Sequence, residues 1–463
     1  MSHRFIPLAL AGLVSFGSSL SLGESLSEIY ELALQNDATL KAAEATYRAN
    51  LETENITRAA LLPQVSGNAR YSRSESEIEQ GPNPTRGTTT PINLDLDTDN
   101  TTLSLSLNQS IFDLPSWFTF RSGKLISKQA EAQLAADQQD LIVRVAQSYF
   151  GVLRAYENLE AARAEERAAK RQLEQTQQRF DVGLIAITDV HEARAVYDNT
   201  VAQRLTFEAN LGTAYEALSV LTGRSHSEIA RLSEEFPITD PTPADRAEWV
   251  NFALKNNHQL RAALYRMQSS QKTAEAKKWE HLPSVTGSIN YQDSDAENEY
   301  AAAAGSFSTD DLTETVVYQI DLNVPIFSGG GVSATRRQAY EQYNAALQQK
   351  LNTQRQIVQQ TRSLHLTVGT DVQRIKARKQ NIVSAQSALD ATKAGYEVGT
   401  RNIVDVLQSQ RSLYAAIRDY ANTRFDYVLN MLRLKQQAGT LSPDDIYMLD
   451  KWLLAEQAQK QDK

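Results

Sequence analysis

The chain has 463 residues, room for two or three ordinary domains, with 47 Lys and Arg against 56 Asp and Glu and a formal net charge of −9. That acidic balance argues against a nucleic-acid partner held on a basic face, and an apolar share of 41% is too low for a bundle of transmembrane helices. The absence of cysteine excludes disulfides and a lipid carried on an N-terminal Cys.

The N-terminus opens with "MSHRFIPLALAGLVSFGSSLSLGES", one early Arg and then an apolar run from Phe5 to Leu20. The run is short for a membrane span, and Ser21 and Gly23 supply small side chains at −3 and −1 of a cleavage site. Residues 1–23 are therefore expected to be a secretory signal peptide cut before Glu24.

After a short helical stretch, "QVSGNARYSRS" sets Val65, Gly67, Ala69 and Tyr71 against Ser66, Asn68, Arg70 and Ser72. "TTLSLSLNQSIF" sets Leu103, Leu105 and Leu107 against Ser104, Ser106 and Asn108. Period-two alternation over about ten residues is what a membrane β-barrel strand shows when one face meets lipid and the other water. The polar segment between them, 74–100, is expected to be a long loop on the cell exterior. Phe112, Trp117, Phe118 and Phe120 follow, and with Phe327 they suit an interfacial aromatic girdle.

From Pro115 to Pro237 the chain has no proline and is rich in Ala, Gln, Leu, Arg and Glu. Leu141, Val145, Tyr149, Val152, Tyr156 and Leu159 recur at steps of three and four, the spacing of a long helix packed in coiled-coil fashion. A helix over 124–182 would be about 85–90 Å long at 1.5 Å per residue. It ends in "RFDVGLIAITDV", where Gly183 suits a left-handed helix terminus, and Asp189 with Glu192 reads as a capping box that starts the returning helix.

The second half repeats this plan. "IYELALQNDATLKAA" aligns with "WVNFALKNNHQLRAA", "LLPQVSGNARY" with "HLPSVTGSINY", "NQSIF" with "NVPIF", and the turn with "GYEVGTRNIVDV", in the same order and at offsets of 215 to 220 residues. Gly399 pairs with Gly183, Asp405 with Asp189, with Gln408 as its box partner, and Gly439 with Gly223. Val316, Tyr318, Ile320, Leu322 and Val324 line one face of the last strand, with a second long polar loop expected over 293–313. The expected organisation is a first repeat over 24–223, a linker over 224–245, a second repeat over 246–439 and a C-terminal segment over 440–463. Four strands cannot close a barrel, the smallest membrane barrels having about eight, so strands in a membrane require several chains to share one.

"QSIFDLPSW", "QRFDVGLIAITDV" and "SAQSALDATKAGYEVGTRNIVDVL" resemble the TolC family of outer-membrane efflux proteins, from about Glu24 to Asp450. The resemblance implies a mixed fold: an outer-membrane β-barrel segment of four strands per chain, twelve in a homotrimer, continuous with a long α-helical coiled-coil barrel in the periplasm. It implies an exit duct for tripartite efflux pumps or type I protein secretion, with a periplasmic adaptor (membrane fusion) protein and an inner-membrane transporter as partners. It also implies a gate in which Asp189 accepts a hydrogen bond from Tyr396 and Arg401 meets Thr188. Gln172 and Arg424 match a further contact, and three copies of Asp405 ring the axis. Gly183 and Gly399 mark the tips offered to the adaptor. Gln408 and Lys393 stand where the family pattern has acids, so the entrance should be less acidic.

No catalytic group, metal site or cofactor is expected. The six histidines are scattered without ligand spacing, and Gly329–Gly331 lacks the Lys and Ser/Thr of a phosphate loop. The rival reading is an elongated coiled-coil protein of the cell envelope that conducts nothing.

Overall fold

The computed structural model describes residues 23–80, 92–302 and 305–454, so the leader expected over 1–23 falls outside it apart from Gly23. Its element order is α1 (Leu26–Asn36), α2 (Ala38–Ala59), β1 (Gln64–Gln80), β2 (Ile92–Phe112), α3 (Leu114–Asp181), α4 (Ile187–Thr222), β3 (Arg231–Leu232), α5 (Arg246–Asn256), α6 (His258–Lys278), β4 (Ser284–Ala302), β5 (Gly305–Asn323), α7 (Gly331–Glu397), α8 (Ile403–Ala438), α9 (Pro443–Asp450) and β6 (Leu453–Leu454). Apart from the short β3, α9 and β6, the order helix, helix, strand, strand, long helix, shorter helix occurs twice. The long helices have 68 and 67 residues and the returning ones 36 each. Two compact units result: one comprises Ala42–Ala136 and His258–Ile357, the other the chain up to Lys41, Asp137–Asn257 and Val358 onward.

The first unit holds one antiparallel sheet in the order β1-β2-β4-β5. Its register puts Val65 opposite Leu107, Ile289 opposite Leu107, and Tyr318 opposite Ile289, so these side chains share one face with Ala69, Leu103, Leu105, Tyr291 and Val316. Ser66, Ser106, Asn290 and Val317 occupy the other.

The strands are longer than expected. The segments read as polar loops, 74–100 and 293–313, are largely paired backbone, since β1 runs to Gln80, β2 starts at Ile92, β4 reaches Ala302 and β5 starts at Gly305. Polar cross-strand pairs take the place of apolar ones: Tyr71 donates to Asp99 at 2.9 Å, Thr98 to Asn298 at 2.9 Å and Asn298 to Asp311 at 3.2 Å. A strand wet on both faces gives no hydropathic alternation, which is why the pattern reads as loop. Along the same face that carries the apolar band, the register then aligns Glu75, Asp97 and Glu299 side by side.

The second unit is built around helices. Leu26, Ile29 and Ala33 of α1, Val145, Tyr149 and Val152 of α3, Val368 and Val372 of α7, and Phe425, Val428 and Leu432 of α8 form one buried cluster. Ser25 and Glu28 cap α1 reciprocally, fixing where the chain enters that cluster. The buried Tyr149 hydroxyl donates to the Ala230 carbonyl at 2.6 Å, and β3 pairs with β6, so the linker and the C-terminal segment meet at this core.

One ion pair here carries weight. Asp37, 3% exposed, ends α1 and takes two hydrogen bonds from Arg144, at 2.8 and 3.2 Å. The hydrogen bond from Arg144 is the main cause that holds its carboxyl below the ordinary 3.8. Arg144→Ala leaves this carboxylate buried without its cation and is expected to cost about 3 kcal/mol of stability at neutral pH. Because the folded pKa is depressed, the pair's contribution is present above the unfolded value and is lost as pH falls through the folded one. Unfolding midpoints of the two proteins should therefore differ at pH 7 and converge as the pH falls below the ordinary carboxylate range; a constant difference across that range would rule out the linkage.

Candidate gate at the helical hairpin tips

Each pair of long helices turns through the same backbone device. At the first tip the Gly183 N–H donates to Phe180 O at 2.8 Å and Leu184 N–H to Arg179 O at 2.9 Å, with Gly183 at φ 78°. At the second, Gly399 N–H donates to Tyr396 O at 3.2 Å and Thr400 N–H to Gly395 O at 2.8 Å, with Gly399 at φ 79°. Both are Schellman termini, which need a left-handed residue after the helix.

The acids of the turn do not cap the returning helices as expected. The N-cap of α4 is Ala186, which makes no side-chain cap bond, and that of α8 is Asn402, whose side chain accepts from Asp405 N–H at 2.9 Å. Asp189 and Asp405 thus lie three residues into their helices, so Glu192 and Gln408 are not box partners. An acid is favoured both at the N-cap and in the first turn, so spacing alone could not separate the two.

Thr188 is exposed and contacts Asp189 at 3.5 Å. Arg401, in the turn just before α8, is held to the first turn of that helix by Asp405 at 3.6 Å. Its stem packs over Gly395, where an added Cβ would lie 2.8 Å from Arg401 Cγ. Tyr396 is buried with Leu389, Ile403, Val406, Leu407 and Leu413, and the Arg179 guanidinium sits 4.7 Å over its ring. Its hydroxyl has no hydrogen-bond partner among the described residues, and neither does the Gln410 amide nitrogen. A buried donor left unpaired costs about 1–3 kcal/mol.

The structure therefore does not form the expected Asp189–Tyr396 and Arg401–Thr188 bonds within one chain: the phenol lies in an apolar nest, and Arg401 is engaged by an acid in the first turn of the helix that follows it. Gln172 and Arg424 are not brought together either. Gln172 lies 11 residues before Gly183 and Arg424 25 residues after Gly399, a difference of about 20 Å along the helices. Gln172 contacts Thr176, while Arg424 donates to the Ser233 carbonyl.

Links that do join the two hairpins include Arg418 to Glu165 at 2.8 Å, largely buried, and Arg154 to Asp426 at 2.5 Å. Sequence reasoning missed these, and missed Arg171, Arg179 and Gln410, which line one cavity with Gln172, Lys393 and Tyr396. Gln410 had a readable signal, a polar residue in the stripe formed by Val406, Leu407 and Leu413.

The aromatic residues proposed as a girdle lie at the strand–helix junctions of the sheet unit. Phe112 and Trp117 are about half exposed and Phe327 is 88% exposed. Trp117 stands 5.9 Å from Phe120, and Lys272 lies 5.7 Å over Phe118.

Comparison with known proteins agrees with this architecture. The profile of the outer membrane efflux protein family matches residues 29–224 and 249–440. Outer membrane protein TolC of Vibrio cholerae is 35% identical over 445 residues, covering 96% of this chain and 97% of the relative. Alkaline protease secretion protein AprF of Pseudomonas aeruginosa is 28% identical, covering 91% and 85%. The outer membrane channel CmeC of Campylobacter jejuni has the same fold, with a TM-score of 0.74 at 19% identity over 98% of both chains.

Proposed function

The chain belongs to the outer membrane efflux protein family and is an outer-membrane exit duct for efflux and type I secretion; we propose that three copies close one barrel and that the hairpin tips gate its periplasmic entrance. One observation carries the oligomer: an antiparallel sheet with an exposed apolar face whose outer strands, β1 and β5, have no further strand beside them among the described residues. In lipid, open edges would leave backbone groups unsatisfied at several kcal/mol each, so the edges must pair with other copies. Three copies supply twelve strands, with Phe112, Trp117, Phe118, Phe120 and Phe327 as the girdle at the membrane boundary.

In this reading Thr188, Asp189, Tyr396, Arg401 and Asp405 form the gate, and the turns at Gly183 and Gly399 meet a periplasmic adaptor that links the duct to an inner-membrane transporter. Arg418 with Glu165 and Arg154 with Asp426 hold the hairpins together above the gate. The protein itself performs no chemistry on its cargo.

Planar-bilayer recording of the purified oligomer tests this. Small, cation-preferring currents are expected, and Asp405→Asn should reduce the cation preference by removing converging negative charge from the pore mouth. Correctly inserted, heat-modifiable oligomer that conducts nothing would instead support a scaffold.

A further inference from the structure

The sheet order leaves β1 and β5 at its edges, and the internal repeat carries information about what each edge fits. β1 corresponds to β4 at an offset of 220 residues, through "LLPQVSGNARY" and "HLPSVTGSINY". β2 corresponds to β5 at an offset of 215, through "NQSIF" and "NVPIF". The same offsets hold in space. Gln64 opposite Asn108 in the first hairpin becomes Ser284 opposite Asn323, a pair that the second hairpin forms.

Between the hairpins β2 lies against β4, with Ser106 opposite Asn290. Moved on by one repeat, this junction becomes β5 of one copy against β1 of the next, a head-to-tail contact of the kind that closes a ring. The transfer sets Asp321 opposite Arg70, Gln319 opposite Ser72, and Ile320 opposite Tyr71. The faces agree, because Arg70 and Asp321 both lie on the side of Ser66, Ser106 and Asn290, away from the apolar band. A slip of one residue would turn one strand's apolar side chains to the polar side.

Charge singles out this register among those that keep the faces matched. Arg70 is the one charged residue on its face of β1, is exposed, and has no ion-pair partner among the described residues. Asp321 is exposed too, touched by the Gln319 amide at 2.6 Å. A slip of two residues either way would set Arg70 against Gln319 or Asn323, both neutral. The equivalent pair inside the chain, Ser106 and Asn290, is neutral as well, so opposite charges stand only where two copies meet. Glu77 falls opposite Glu314, but in the wet outer half, where Asp97 already faces Glu299 within one chain.

We propose, on the basis of the shared barrel above, that a second copy of this chain docks its β1 on β5 with Arg70 directly opposite Asp321, and that this ion pair fixes the register of barrel closure. Opposite charges facing each other across two strands attract and like charges repel, so the pair favours this register over its neighbours. It lies on the polar face, which lines the interior of a membrane barrel.

The chain has no cysteine, so thiol pairs introduced into the full-length protein test the register directly. Ser72→Cys with Gln319→Cys, treated with a short bis-thiosulfonate, is expected to give covalent oligomer that survives boiling without reductant. Ser76→Cys with Gln319→Cys, displaced by about 13 Å along β1, should give about tenfold less. Arg70→Glu and Asp321→Arg should each lower the temperature at which the unboiled oligomer dissociates by several degrees, and the two together should regain most of that loss. An oligomer in which the displaced pair links as well as the opposed one, or in which the double exchange is no better than either single change, would overturn this pairing and leave the shared barrel standing. Monomer alone in every sample, the parent included, would overturn the shared barrel and the pairing with it.

Discussion

Gly439→Ala is expected to destabilise the helical unit by about 4 kcal/mol, against about 1–2 kcal/mol for Gly223→Ala. The two glycines are equivalent in the repeat and end α8 and α4 with nearly the same backbone, at φ 70° and 73°. The strain of placing an L side chain there is therefore shared. What differs is the space. A Cβ at Gly223 would meet the Asn36 side chain at 3.7 Å, ordinary contact, whereas one at Gly439 would lie 2.5 Å from the Asn256 carbonyl carbon and oxygen. That neighbour is backbone and cannot rotate away. It is also pinned, because Asn257 donates its side-chain N–H to the Gln437 carbonyl at 2.9 Å, tying the end of α5 to the end of α8. Thermal or denaturant unfolding of the two variants side by side checks this, each serving as the other's control for left-handed strain. Equal costs would mean that the end of α5 can retreat and that the close approach is not a constraint.

The same pair shows what a sequence reveals and what it withholds. Repetition in order made the two-fold plan legible, and proline-free stretches with apolar steps of three and four made the long helices legible, because both depend on local pattern. Gly183 and Gly399 were readable as turn residues from their place between periodic segments, and Gly223 and Gly439 as a matching pair at the ends of the two repeats. Their unequal surroundings were not, since Asn256 approaches Gly439 only through tertiary packing. Asp37 and Asn257 occupy equivalent positions, yet one meets Arg144 and the other a helix-end carbonyl. The outer halves of the strands were illegible for a different reason: Glu75, Asp97 and Asp99 alternate in a polar register that hydropathy does not distinguish from loop. At the tips, residue types and turn positions could be read, but partners could not. Tyr396 depends on whether its ring enters the nest around Ile403 and Leu413, a matter of side-chain placement that spacing does not encode.

That placement sharpens the last expectation, that the double variant Tyr396→Phe, Arg401→Ser conducts several-fold more than the parent while remaining as stable. Within a chain, Phe at 396 keeps the ring in its nest beneath Arg179 and removes a hydroxyl that has no partner there, so its effect on folding should be neutral or slightly favourable. Ser at 401 gives up a 3.6 Å contact with Asp405 between largely exposed groups, worth about 0.2–1 kcal/mol for an ion pair at the surface. Neither change weakens the Arg418–Glu165 or Arg154–Asp426 links that join the hairpins further along. A rise in conductance with an unchanged unfolding midpoint would then have to come from contacts that exist only when the tips close in the assembled duct, where the Tyr396 hydroxyl can reach Asp189 and Arg401 can reach Thr188. Unchanged conductance would place the resting closure elsewhere, in the buried Arg418–Glu165 pair, and Arg418→Met, which keeps the stem but removes the charge, would then be the variant that opens the entrance.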